Sequence, residues 1–148
     1  MFKHILLPTD GSKLSDRAVQ RGIELASAIG ARVTVMHAIP EFRMMADESF
    51  VLPTSVDLKK RYEKEATARA DKMLAKVTER AKAAGLKADA VCMMGDVPYE
   101  AIIEACKKQK CDVIVMASHG RRGVSGLLLG SETSKVLTHS KVPVLVVR

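Results

Sequence analysis

Apolar and polar positions along the 148 residues alternate between two rhythms. Short runs rich in β-branched residues read as buried strands: His4 to Leu7, Arg32 to Ile39, Lys87 to Met94, Val113 to Met116 and Val144 to Val147. Between them, apolar residues return at three- and four-residue steps, the period of a helix with one buried face. Ser15 to Ile29 puts Ala18, Val19, Gly22, Ile23, Ala26 and Ile29 on such a face, and Gly30 ends it. Leu58 to Ala84 forms a long amphipathic helix through Leu58, Tyr62, Ala66, Ala70, Met73, Leu74, Val77 and Ala81, stopped by Gly85. Asp96 is expected to cap a third helix, which has Pro98 in its first turn and runs to about Lys108. Glu132 to Ser140 is the fourth helix, with Ser131 as its candidate cap. Pro40 to Asp57 keeps neither rhythm and is expected to be a long loop.

Strands that alternate with helices in this order must be parallel, because each helix is a right-handed crossover that covers the sheet. The expected fold is therefore α/β: a single doubly wound, Rossmann-like domain over residues 1–148, five parallel strands with helices on both faces. No internal repeat or linker interrupts it.

Composition narrows the function. Aromatic residues make up 3% of the chain and tryptophan is absent, so the core is aliphatic. A net charge of +7 favours anionic partners. Nucleic acid is an unlikely one, because the five scattered aromatics supply no stacking platform beside the basic groups. Cys92, Cys106 and Cys111 have neither disulfide-framework nor zinc spacing and are expected to be reduced thiols. His4, His37 and His139 share no metal-ligand spacing. The amino end does not resemble a signal peptide, and no apolar run is long enough for a membrane span. The expected location is cytoplasmic.

The candidate chemistry lies after the fourth strand. Ala117-Ser118-His119-Gly120 opens a loop with glycines at 120, 123, 126 and 130, and Gly130-Ser131 leads into a helix. A strand that empties through such a loop into a helix start aims backbone N–H groups at one small volume, which suits a phosphate chain. The lysine-bearing phosphate loop of nucleoside triphosphatases is excluded because Ser131 follows Gly130 directly. The dinucleotide fingerprint is excluded because no two of these glycines are two residues apart. Ser118 lacks the flanking glycines of a hydrolase nucleophile elbow, Met116 taking the first place.

This loop resembles the nucleotide loop of the universal stress protein family, Gly-x-x-Gly, nine residues, then Gly-Ser/Thr, with Ala117 in place of the first glycine. The resemblance extends to the opening Ile5-Leu6-Leu7-Pro8-Thr9-Asp10-Gly11-Ser12, the centre Gly95-Asp96-Val97 and the close Pro143-Val144-Leu145-Val146-Val147. It implies strand order 3-2-1-4-5, so the winding reverses between the two strands that carry the unusual loops, where doubly wound sheets bind ligands. It further implies ATP or another adenine nucleotide, with adenine near Pro8, Thr9, Ala38 and Met116. Asp10 would accept the ribose hydroxyls or hold magnesium through water. The phosphates would meet the backbone around Ala117, His119, Gly120, Gly130, Ser131 and Glu132, with Arg121 beside them; Glu132 would also bring its own carboxylate toward them. No residue is placed as a base for water, so at most slow hydrolysis is expected. The last strand, Val144 to Val147, would pair with a second copy as a homodimer. The expected role is a nucleotide-dependent stress-response switch. The competing readings are a homodimeric interaction module that binds no nucleotide, and a weak ATP hydrolase.

Overall fold

The structure, a computed structural model, describes residues 1–43, 54–120 and 129–148. Its elements run β1 His4–Pro8, α1 Lys13–Ile29, β2 Arg32–Ile39, α2 Thr54–Ala83, β3 Ala88–Met94, α3 Pro98–Gln109, β4 Val113–Ala117, α4 Ser131–His139 and β5 Val144–Val147. The strands form one parallel sheet in the order β3-β2-β1-β4-β5. The winding reverses between β1 and β4, and both of these strands are buried along their whole length.

Alternation along each strand divides the core in two. Ile5, Leu7, Val33, Val35, Val113 and Val115 pack with Val19, Ile23 and Ala26 of α1 and Leu74, Val77 and Ala81 of α2. Leu6, Met36, Ile114 and Met116 point the other way, onto Ala101, Ile102 and Ala105 of α3 and Val136 of α4. Gly22 lets α1 sit close to the sheet, since a Cβ there would fall 2.2 Å from Leu7 Cδ2. Two helices end alike, with a left-handed residue and an amide reaching back five residues. In α1 the left-handed residue is Gly30 (φ 70°), with Ala31 N–H donating to the Ala26 carbonyl. In α3 it is Lys110 (φ 55°), with Cys111 N–H donating to the Cys106 carbonyl at 2.9 Å.

Several boundaries differ from the sequence-based expectation, most by a residue or two, and at three helix starts the difference changes a role. Helix α2 begins at Thr54 rather than Leu58, so the last residues assigned to the loop belong to the helix. Asp96 does not cap α3: Val97 occupies that position, one residue nearer Pro98, and makes no side-chain cap. The Asp96 carboxylate instead accepts from the Glu41 amide and the Arg43 guanidinium. Ser131 is the first residue of α4 rather than its cap, which is Gly130. The expected loop at 44–53 lies outside the described residues.

At the amino ends of the strands, His4 is buried, its Nε2 2.8 Å from Thr34 Oγ1. Its Nδ1 is buried and has no hydrogen-bond partner among the described residues. Burial, helped by the Arg32 charge, lowers the imidazole pKa from 6.5 against the opposing pull of Lys110, Asp112 and Asp89. The unfolded chain therefore binds the proton more readily. His4 contributes stability that is complete above the unfolded value of 6.5 and is lost as pH falls from there toward the lower folded value. Between about pH 7 and about pH 5, urea midpoints of the unsubstituted protein should fall more steeply than those of His4→Gln. Equal slopes would show that His4 titrates alike in both states.

Candidate functional site

The carboxyl ends of β1 and β4 bring the two unusual loops together. Thr9 is held from both sides by β2: its N–H donates to the Met36 carbonyl at 2.8 Å, and its own carbonyl accepts from His37 Nδ1 at 2.7 Å. A carbonyl partner requires the proton on Nδ1. The Thr9 hydroxyl accepts from the Gly11 amide and lies 3.1 Å from Ser15 Oγ. Asp10 follows, its Oδ1 accepting from the Ser12 amide at 2.9 Å. The carboxylate thus stands on a fully tied turn, and its Oδ2 would be only 2.9 Å from a Cβ placed on Gly120. Asp10 and Gly120 therefore meet across the reversal point.

The far wall is the start of α4. Gly130 N–H donates to the Ser118 carbonyl at 2.8 Å, and a Cβ on Gly130 would crowd that oxygen and His119 Cα at 3.2 Å. Thr133 Oγ donates to the Ala117 carbonyl, and Ser118 N–H donates to the Val147 carbonyl. The start of the loop is thereby tied to both α4 and β5. His119 Nδ1 sits 3.0 Å from Ser118 Oγ.

How each helix start is satisfied sets α4 apart. Ser12 caps α1 by accepting from Ser15 N–H. At α3 the Tyr99 amide donates to Glu132 Oε2 of α4 at 2.8 Å. The other carboxylate oxygen of Glu132 lies 3.2 Å from Lys135 Nζ. Glu132 is therefore turned toward α3, not into the phosphate volume as its position in sequence suggested. At α4 itself no side chain caps the first turn, where Ser131 is exposed. Among the described residues, the amides of this turn carry the positive end of the helix dipole with no side-chain acceptor.

Among the other expected site residues, Pro8 and Met116 are buried at the ends of β1 and β4, and Ala38 is half-buried at the end of β2. Ala38 and Met116 belong to the same apolar cluster. Ala117 is a buried strand residue paired with Val147, so its methyl is accommodated in the sheet. Arg121 lies outside the described residues, with Arg122, Gly123 and Gly126. Among the described residues no group of three or more His, Cys, Asp or Glu side chains could hold a metal ion. Two grooves open elsewhere, about 380 Å³ between α2 and β3 and about 980 Å³ between α1 and α2, the second reaching Thr9, Gly11 and Ser12. Neither touches the first turn of α4. His37 and Thr133 were not singled out from the sequence. The only available signal was position: His37 is adjacent to Ala38, and Thr133 lies in the first turn after Gly130.

The universal stress protein family model matches residues 1–148. The chain belongs to the universal stress protein family. A universal stress protein of Thermus aquaticus is 37% identical over all of both chains. The structure of universal stress protein MJ0577 superimposes with a TM-score of 0.83 at 25% identity, covering 99% of this chain and 96% of that one; that protein comes from Methanocaldococcus jannaschii. Another universal stress protein, solved in complex with cAMP, has a TM-score of 0.70 at 29% identity, covering 99% and 97%. No helix among the described residues of this universal stress protein is long and apolar enough to cross a membrane.

The clasp from Glu132 to α3 has a measurable consequence. Glu132→Ala should remove an N-terminal acceptor from α3 and cost about 1 kcal/mol of stability, within the range for lost caps. Urea denaturation checks it, and an unchanged midpoint would show that the carboxylate contributes nothing to α3.

Proposed function

We propose that this universal stress protein binds an adenine nucleotide at the reversal point and acts as a nucleotide-dependent switch in a stress response. The observation that carries the reading is the start of α4: a helix N-terminus with no side-chain cap among the described residues, where a Cβ on Gly130 would crowd the Ser118 carbonyl at 3.2 Å and one on Gly120 would meet Asp10 Oδ2 at 2.9 Å. Such an end favours a bound phosphate. The related structure in complex with cAMP supports an adenine nucleotide as the ligand class, and ATP is the fullest form of the proposal.

In this reading adenine rests against Pro8, Thr9, Ala38 and Met116, and Asp10 accepts from the ribose hydroxyls. The amides near Gly120, Gly130, Ser131 and Glu132, with His119 and Arg121 alongside, receive the phosphates. Magnesium would reach the protein through Asp10 and water, its other ligands being phosphate oxygens. Asp10 is engaged by the Ser12 amide and His119 by Ser118, so neither is set as a base for water, and hydrolysis would be slow at most.

Isothermal titration with ATP and magnesium, and with AMP and cAMP, tests the reading. Saturable binding is expected, weakened about tenfold or more by Asp10→Ala, the scale of a lost hydrogen bond to a charged group. No saturation up to millimolar nucleotide would overturn it in favour of an interaction module without nucleotide.

We further propose that two copies pair through β5. This four-residue edge strand exposes Leu145 by 46%, and α4 beside it exposes Leu137 by 41%. An apolar edge left open invites pairing. The opposite edge strand, β3, is guarded by the exposed charge of Asp89. Sedimentation at micromolar protein should give a dimer that Leu145→Lys dissociates. A monomeric unsubstituted protein would reject this arrangement.

A further inference from the structure

All three cysteines are free thiols, and two of them meet at the end of α3. The turn at Lys110 folds the chain back so that Cys111 N–H reaches the Cys106 carbonyl. A helix end of this shape brings the side chains of those two residues against each other, usually as an apolar contact. Here both are thiols. Cys106 and Cys111 are 4% and 6% exposed in the same core cluster, and Cys106 Sγ lies 3.5 Å from the Cys111 carbonyl oxygen.

We propose that Cys106 and Cys111 form an oxidative modification site, a thiol pair that hydrogen peroxide converts into an internal disulfide across the end of α3. Hydrogen bonding from the Cys111 thiol lowers the Cys106 pKa against the effect of burial, while the same contact and burial raise that of Cys111. The Cys106 thiol also donates to the Cys111 carbonyl, and the exchange balances alike whichever sulfur is oxidised first; Cys106 is taken as the first. Its thiolate attacks one peroxide oxygen and breaks the O–O bond, giving a sulfenic acid and a hydroxide that leaves as water after taking a proton. Cys111 sulfur then attacks Cys106 sulfur, the S–O bond breaks, and the departing hydroxide leaves as water with the Cys111 proton. In sum, two thiols and one peroxide give one disulfide and two waters, with two electrons passing from sulfur to oxygen. At this end of α3 Lys107, Lys108 and Lys110 are exposed, and opening of the last turn, as helix ends fray, would admit a small oxidant. Cys92 is an internal control. It lies on β3 beside Asp71, and burial followed by that carboxylate pushes its pKa up to about 11.

The proposal is independent of nucleotide binding. Full-length protein is treated with hydrogen peroxide, unfolded, alkylated with N-ethylmaleimide, and read by intact mass and peptide mapping. Of the three thiols, only Cys92 should then alkylate, and reduction should restore all three. Cys92→Ser should leave the bridge intact. Cys111→Ala should abolish it and let dimedone trap a sulfenic acid on Cys106, with Cys106→Ala as the reciprocal variant. Three alkylated thiols after peroxide, a bridge that includes Cys92, a cross-link between chains, or oxidation beyond the sulfenic acid without a bridge would each overturn it.

Discussion

Backbone amides at the start of a helix have no carbonyl to meet within it, and how each start finds an acceptor organises one end of this molecule. Helix α1 uses Ser12 from its own turn. Helix α3 has only Val97 in the capping position, and a carboxylate from α4 supplies what is missing. Accepting there turns the Glu132 carboxylate toward α3, and among the described residues the first turn of α4 has no side-chain acceptor. The same acid thus completes one helix and leaves its own start open. Beside that opening the backbone of Ser118 and His119 comes close to Gly130, and the Asp10 carboxylate comes close to Gly120.

The parallel sheet makes this convergence possible. With β1 and β4 side by side and both buried, the loops that leave them emerge together. Thr9 has its amide, carbonyl and hydroxyl all engaged, so Asp10 projects from a turn with little freedom. A carboxylate positioned in advance loses less entropy when it accepts a ligand's hydrogen bonds.

Much of this architecture was legible in the residues. Short runs rich in β-branched residues marked the strands, and glycine spacing marked the loop after β4, because both patterns are local and serve a single purpose. What escaped were contacts made across space. Asp96, an acid just before Pro98, looks like a cap, yet the true cap position is one residue later and Arg43 claims the carboxylate. Glu132 reads as an intruder beside phosphates because sequence records its place in the first turn but not its rotamer. His37 looks like an ordinary strand residue until the Thr9 carbonyl is seen against its ring. The extra turn at the start of α2 was hidden because Thr54 to Asp57 lacks the apolar step that marks the rest of that helix.

The bond from Glu132 to the Tyr99 amide has a mechanical side. Helices α3 and α4 lie on the same face of the sheet, and this carboxylate pins the head of one to the head of the other. A tilt at the front of α4 would therefore have to break this bond or carry the front of α3 with it.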